Sequence, residues 1–209
     1  MMKALATLIR IFFLAIFLLL LVNGKVILWL ALFAVSLIAA LIFGRVYCGY
    51  VCPMNTLMIA VEWLSKKLKL QTTQAPKWLK NGYFPWIALA VSIALMLLSK
   101  RVLQIDLPIL PFWLVISVLV TLRYKPEVFH NLICPFGALQ RSFGRFARFS
   151  VKVDQNTCIG CKLCEKACPS QAIAVSPENR KAAIRISYCH QCTNCRQVCP
   201  TKAIHYRKQ

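Results

Sequence analysis

The sequence predicts an α-helical membrane protein of four transmembrane helices, carrying a small α+β domain at its C-terminal end. Three observations carry this. Four apolar runs precede Arg123, while 59% hydrophobic residues and a mean hydropathy of +0.62 describe no ordinary soluble chain. Eight of the eleven cysteines fall in two short runs after Val151. The chain therefore divides into a membrane domain, residues 1–150, and a cysteine-rich domain, residues 151–209.

Ala4 to Val22, with its run IRIFFLAIFLLLLV, is long enough at ~1.5 Å per residue to cross ~30 Å of hydrocarbon. Lys3 and Arg10 ahead of an apolar core would also suit a signal peptide, but Asn23-Gly24-Lys25 offers no small-residue cleavage pattern. Val26 to Phe43 is the second span, and with the first it makes a helical hairpin. Tyr83 to Leu98 and Leu107 to Leu122 are shorter, so tilt or snorkelling of Lys100 and Arg123 must help them across. Pro108 and Pro111 kink or delay the start of the fourth. Between spans two and three, Leu57, Val61, Leu64 and Leu68 recur at helical spacing opposite Glu62, Lys66 and Lys69, an amphipathic helix lying on the membrane surface. Gln71 to Pro76 then reads as a linker.

Charge sets the orientation. The connection after span two holds Arg45, Lys66, Lys67, Lys69, Lys77 and Lys80, whereas the opposite turns hold Lys25, Lys100 and Arg101. A multi-pass protein of the cell's inner (cytoplasmic) membrane follows, with both termini and the cysteine-rich domain cytoplasmic. Trp29, Trp78, Trp86 and Trp113, near span ends, fit an interfacial aromatic belt. The formal net charge of +20 is not matched by a basic recognition helix or stacking platform, so nucleic acid is excluded as a partner. Lipid headgroups or an acidic partner answer it better, since 15 Lys and Arg face 4 Asp and Glu from Arg123 onward.

The last fifty residues contain CIGCKLCEKACP, Cys158 to Pro169, and CHQCTNCRQVCP, Cys189 to Pro200. Each is Cys-x2-Cys-x2-Cys-x3-Cys-Pro. Three cysteines at that spacing wrap one [4Fe-4S] cube, and the fourth points toward a second. The predicted ligand sets are Cys158, Cys161, Cys164 with Cys199, and Cys189, Cys192, Cys195 with Cys168. Zinc sites use paired Cys-x2-4-Cys units, in which the third cysteine has no place. Cluster cysteines also imply a reducing compartment. The two runs repeat with a period of 31 residues, aligning Cys158 with Cys189 and Ala172-Ile173 with Ala203-Ile204. Ile173, Val175, Ile184 and Ile186 flank the turn Ser176-Pro177-Glu178-Asn179, a predicted β-hairpin over the clusters. His190, between ligands, either donates to a cluster sulfide or lies exposed, and His205 is structural.

Over Val151 to Arg207 the chain resembles the bacterial two-cluster ferredoxins, with all eight ligand positions and both prolines present. That resemblance implies an α+β sandwich of two short hairpins and two helices.

Directly after span two comes GRVYCGYVCPMNTL, in which Cys48 and Cys52, if helical, share one face. After span four comes HNLICPFGALQ, where Cys134-Pro135 matches Cys52-Pro53 and His130 stands where a cysteine would match Cys48. With four spans, these motifs and the double cysteine run, the chain resembles the membrane polyferredoxins, which include the quinol-oxidising membrane subunit of periplasmic nitrate reductase systems. The resemblance implies quinone as substrate and other redox subunits as partners. Because of His130, three readings stay open: an additional metal or atypical cluster on Cys48, Cys52, Cys134 and His130; a Cys48/Cys52 dithiol; or cysteines that only pack.

The three histidines lie outside the spans, which leaves no axial pair for a membrane haem, and the spans hold no acidic relay apart from Asp106 near an end. A G-x-G-x-x-G fingerprint is absent too. The expected function is one-electron relay on the cytoplasmic face, between a soluble redox partner and a quinone or membrane redox partner, as a subunit of an oxidoreductase complex such as a quinol dehydrogenase. A maturation or metal-handling factor and an iron-sulfur redox sensor are the alternatives.

Overall fold

The computed structural model describes residues 2–72, 76–104 and 107–208. Among the described residues three helical segments are long and apolar enough to cross a membrane: Ala4–Val22, Val26–Phe43 and Phe84–Val102. The fourth apolar helix, Ile109–Arg123, has 15 residues. The third is longer than its sequence suggests, because the α-helix Phe84–Leu98 continues as a π-helical turn over Ser99–Leu103. Pro108 precedes the fourth helix as its cap and delays its start, since a proline ring cannot sit in a helix interior.

In chain order the helices are α1 (Met2–Val22), α2 (Val26–Phe43), α3 (Pro53–Lys67), α4 (Phe84–Leu98), α5 (Ile109–Arg123), α6 (Pro126–Val128), α7 (Pro135–Gly144), α8 (Leu163–Ala167) and α9 (Asn194–Gln197). The strands are β1 (Phe149–Val153), β2 (Ile173–Val175), β3 (Ala182–Ile184) and β4 (Ile204–Lys208). The chain packs as two compact units, Met1–Val26 with Cys52–Ala138, and Ile27–Val51 with Leu139–Gln209. This division differs from the linear one at 150/151, because most of α2 and the segment after it pack with the cysteine-rich part.

In the first unit α3 packs on α5, where the buried Ser65 hydroxyl donates to the Leu122 carbonyl at 2.7 Å. The α3 helix forms where its amphipathic pattern predicts, but Met54, Met58 and Ser65 are buried while Leu64 and Leu68 are exposed. The face turned inward is therefore rotated from the leucine stripe. Gln71 and Thr72 are not free linker: Thr72 N–H donates to Arg123 O at 2.8 Å and the Gln71 amide to Tyr124 O at 3.2 Å. The remainder of that linker, residues 73–75, and Asp106 lie outside the described residues.

The tryptophans divide. Trp78 and Trp86 are exposed, as interfacial anchors would be. Trp29 and Trp113 are not anchors: they are 0% and 5% exposed, with their indole N–H groups donating to Tyr47 Oη at 2.9 Å and Ser92 Oγ at 3.1 Å. A buried indole needs a polar partner, and both have one.

In the second unit the repeat is visible in the backbone. Left-handed residues Lys162 and Thr193, Gln171 and Lys202, and Gly160 and Gln191 recur 31 positions apart. Strands β2 and β3 pair antiparallel with Ile173 opposite Ile184, and β1 pairs β4 with Val153 opposite Ile204. The first half supplies β1 and β2, the second β3 and β4, so each two-stranded ladder takes one strand from each half. Only β2–β3 is a hairpin; the second pair joins the domain's first and last strands. Ile186 opens a 3-10 turn instead of extending the hairpin.

Candidate metal centres

The eight cysteines of the double run line two cavities. Cys158, Cys161, Cys164 and Cys199 face one, of ≈ 330 Å³ out to its mouth. Cys168, Cys189, Cys192 and Cys195 face the other, of ≈ 320 Å³. The grouping of each fourth cysteine with the other run's cavity has a backbone basis: in each half a left-handed residue opens a short helix that carries the third cysteine, and the fourth follows that helix. Cys168 is extended at the end of α8, which turns it from its own run. Cys168 and Cys199 keep matching neighbours, the Ser170 and Thr201 hydroxyls, each 3.6 Å from the sulfur. Backbone N–H groups point at the sulfurs as well, Ala182 N at Cys158 (3.5 Å) and Ala172 N at Cys168 (3.3 Å). Such donors stabilise thiolate character.

Apolar walls surround both cavities, including Val153, Val175 and Ile204 around one and Val151, Ile173 and Ile184 around the other. Burial pushes the Cys189 and Cys195 thiols up to about 12 in the cluster-free protein, and raises Cys164 as well. Holding thiolates there requires a cation, a role that the iron of a bound cluster would fill. Among the described residues no group of three or more His, Cys, Asp or Glu is arranged to hold a single metal ion. Four sulfurs around a cavity, too spread for one ion, fit a cube better than the ~2.3 Å Zn–S shell of a zinc site.

His190 is 1% exposed and lines the second cavity, so of its two sequence readings the exposed one is excluded. His205 lies in β4 opposite Lys152, in keeping with a structural role.

The two Cys-Pro motifs share one local build. Each follows a π-helical turn, Tyr47–Val51 and Phe129–Ile133, and each ends on an extended cysteine with φ −64° and ψ 118° at Cys52 and φ −65° and ψ 116° at Cys134. Pro53 and Pro135 then open α3 and α7. A proline forces the residue before it out of the helical region, and the wide π turn absorbs the register change. Cys48 and Cys52 are thus not carried on one helical face, since the helix breaks between them. Cys48 belongs to the second unit, and Cys52, His130 and Cys134 belong to the first.

All four of these residues are buried. His130 Nε2 lies 3.1 Å from Asn55 Oδ1, a contact that ties the imidazole to α3. Cys134 Sγ accepts from Gly137 N–H at 3.3 Å. Cys48 Sγ accepts from the Arg45 guanidinium at 3.6 Å. Sequence reasoning counted Arg45 only toward orientation and passed over Asn55 and Gly49. The signal for Arg45 was present, as a cation placed directly after an apolar run.

Comparison with known proteins supplies the family. Residues 26–71 and 106–153 match a family described as a 4Fe-4S binding domain, and residues 157–203 match one described as a 4Fe-4S dicluster domain. Two relatives from Methanocaldococcus jannaschii, the proteins MJ0749 and MJ0750, are each 31% identical to the chain, over 74% and 77% of its length and 63% and 73% of their own. The ferredoxin-type protein NapH of Haemophilus influenzae is 28% identical over 70% of this chain and 55% of its own length. The chain thus spans between about half and three quarters of these relatives. No solved structure matches it.

Proposed function

Because the chain belongs to the membrane polyferredoxin-type family with 4Fe-4S ferredoxin domains, we propose that it relays single electrons on the cytoplasmic face of the inner membrane, between a soluble redox protein and a membrane quinone or membrane redox subunit. One observation carries the reading: four cysteines, three from one half of the repeat and one from the other, surround each of two apolar-walled cavities in a chain with three membrane-length helices. A bound [4Fe-4S] cluster changes charge by one electron with little movement of its ligands. Cys158, Cys161, Cys164 and Cys199 would hold one and Cys168, Cys189, Cys192 and Cys195 the other. The protein's own work is to insulate and fix them. Val153, Val175 and Ile204 exclude water around the first, and Val151, Ile173 and Ile184 around the second.

In this reading Ile109–Arg123 is the fourth span, tilted or aided by Arg123 at its end, and both termini are cytoplasmic. Nothing favours an additional metal on Cys48, Cys52, Cys134 and His130 over the hydrogen bonds these groups make.

The test is reoxidation of the dithionite-reduced, cluster-loaded chain by menadione in lipid nanodiscs, followed by the visible absorbance of the clusters. Reoxidation that saturates with quinone and depends on insertion into lipid is the expected result. Clusters that stay reduced with quinone present would remove quinone from the proposal, and metal transfer to a client without electron transfer would favour the maturation reading.

A further inference from the structure

The 31-residue repeat supplies an internal comparison. Ile159 and His190 occupy the same position in the two halves, yet Ile159 is 65% exposed and His190 1%. Cys161 is exposed where its mate Cys192 is half-buried. The difference comes from what covers the second half. The segment from Gly44 to Val51, which directly follows α2, lies on the Ser187–Cys192 loop. Gly49 meets that loop so closely that a Cβ would collide with the His190 carbonyl oxygen. Gly44, at φ +74°, leaves room for the Gln191 side chain, whose amide would come within 2.6 Å of an added Cβ. Tyr50 Oη donates to Gln191 O at 3.3 Å, and Arg45, 0% exposed, donates to Ser187 O at 3.3 Å. One further contact binds the same domain to the end of α2: Tyr206 Oη donates to Phe43 O at 3.3 Å.

Nothing comparable covers the first half among the described residues of this unit. Ile159 and Leu163 stand exposed beside Cys161, and Lys162 and Arg180 are exposed next to them, Arg180 packing against Gly160. The nearby acids, Asp154, Glu165 and Glu178, are outnumbered by Lys162, Lys166, Arg180 and Lys181; the Asp154 and Glu165 carboxylates are turned to the Asn156 and Val175 N–H groups, and Glu178 sits out in the β2–β3 turn. A small apolar patch ringed by cations suits a partner with an apolar patch ringed by carboxylates.

We propose that the two halves are different ports: the Cys158–Cys161 loop docks an acidic one-electron carrier protein, and the Cys189–Cys192 loop, held by Arg45, Gly49 and Tyr50, is the fixed contact with the candidate span α2. The inference rests on the relay reading above and assigns its two ends. Arg45 and Gly49 are positioning residues in it, acting through the loop that carries the ligands.

The experiment uses the full cluster-loaded chain in zwitterionic nanodiscs, with an acidic two-cluster bacterial ferredoxin as probe. Binding is measured at low and high salt. Wild type should bind at low salt and release as salt rises, and the pair Lys162→Glu with Arg180→Glu should weaken binding by about tenfold or more. Arg196→Glu, at an exposed cation of the other half, should leave the affinity as it was. Equal loss from both changes, or no loss from either, overturns the docking port. If the probe binds zwitterionic nanodiscs but is excluded from anionic ones, the basic rim belongs to lipid headgroups and the port fails as well. For the other end the readout is hydrogen exchange. Gly49→Ala should raise exchange across residues 186–193 and leave residues 155–164 unchanged, and Tyr50→Phe, which removes one hydroxyl, should do so more weakly. Unchanged exchange in both variants, with clusters intact, overturns the fixed contact. A wild-type chain that binds the probe but does not reoxidise with quinone would remove quinone from the relay reading and leave these assignments standing.

Discussion

At the scale of single residues, the ligand exchange is the strongest expectation. Cys199→Ser should damage the cluster otherwise held by Cys158, Cys161 and Cys164, and Cys168→Ser the one held by Cys189, Cys192 and Cys195. Electron paramagnetic resonance of the reduced variants distinguishes the two losses. If each change damages its own run's cluster, the exchange is wrong. His130 allows a second test. Asn55→Ala removes an acceptor 3.1 Å from a buried imidazole, so it should cost about 1–3 kcal/mol in unfolding experiments while iron content stays the same. Were His130 a metal ligand, His130→Ala would lower metal content where Asn55→Ala does not. The ligand cysteines were legible in the sequence because cluster spacing is local chemistry. Gly49 and Arg45 were not, since what they touch lies some 140 residues further along the chain.

At the scale of elements, the apolar runs and the period of 31 foretold helices and strands, because burial follows periodicity. The same patterns could not say which neighbour an element meets. Trp29 reads as a membrane anchor by position, yet Tyr47 gives its indole a partner inside the protein. The α3 helix turns Met54 and Met58 inward because α1 and α5 offer contact there, a choice its own leucine stripe does not reveal. Resemblance suggested two hairpins, but pairing β1 with β4 closes the domain instead, and the pseudo-twofold exchange of strands matches the exchange of cysteines. Topology gives an element-scale prediction. Reporters at Gly24 and Lys100 should read as external, and one at Leu70 as cytoplasmic, if Ile109–Arg123 also crosses. A cytoplasmic signal at Lys100 would contradict the four-span arrangement.

At the scale of the whole molecule, composition and cysteine spacing together narrow the chemistry. A chain with three membrane-length helices among its described residues and eight cluster-spaced cysteines is equipped for one-electron traffic beside a membrane. The relay reading requires two four-iron clusters in the second unit. The most direct measurement is iron, acid-labile sulfide and zinc per chain after anaerobic purification in mild detergent. About eight iron and eight sulfide with no stoichiometric zinc is the predicted result. A folded, homogeneous chain that carries zinc and no sulfide would contradict it.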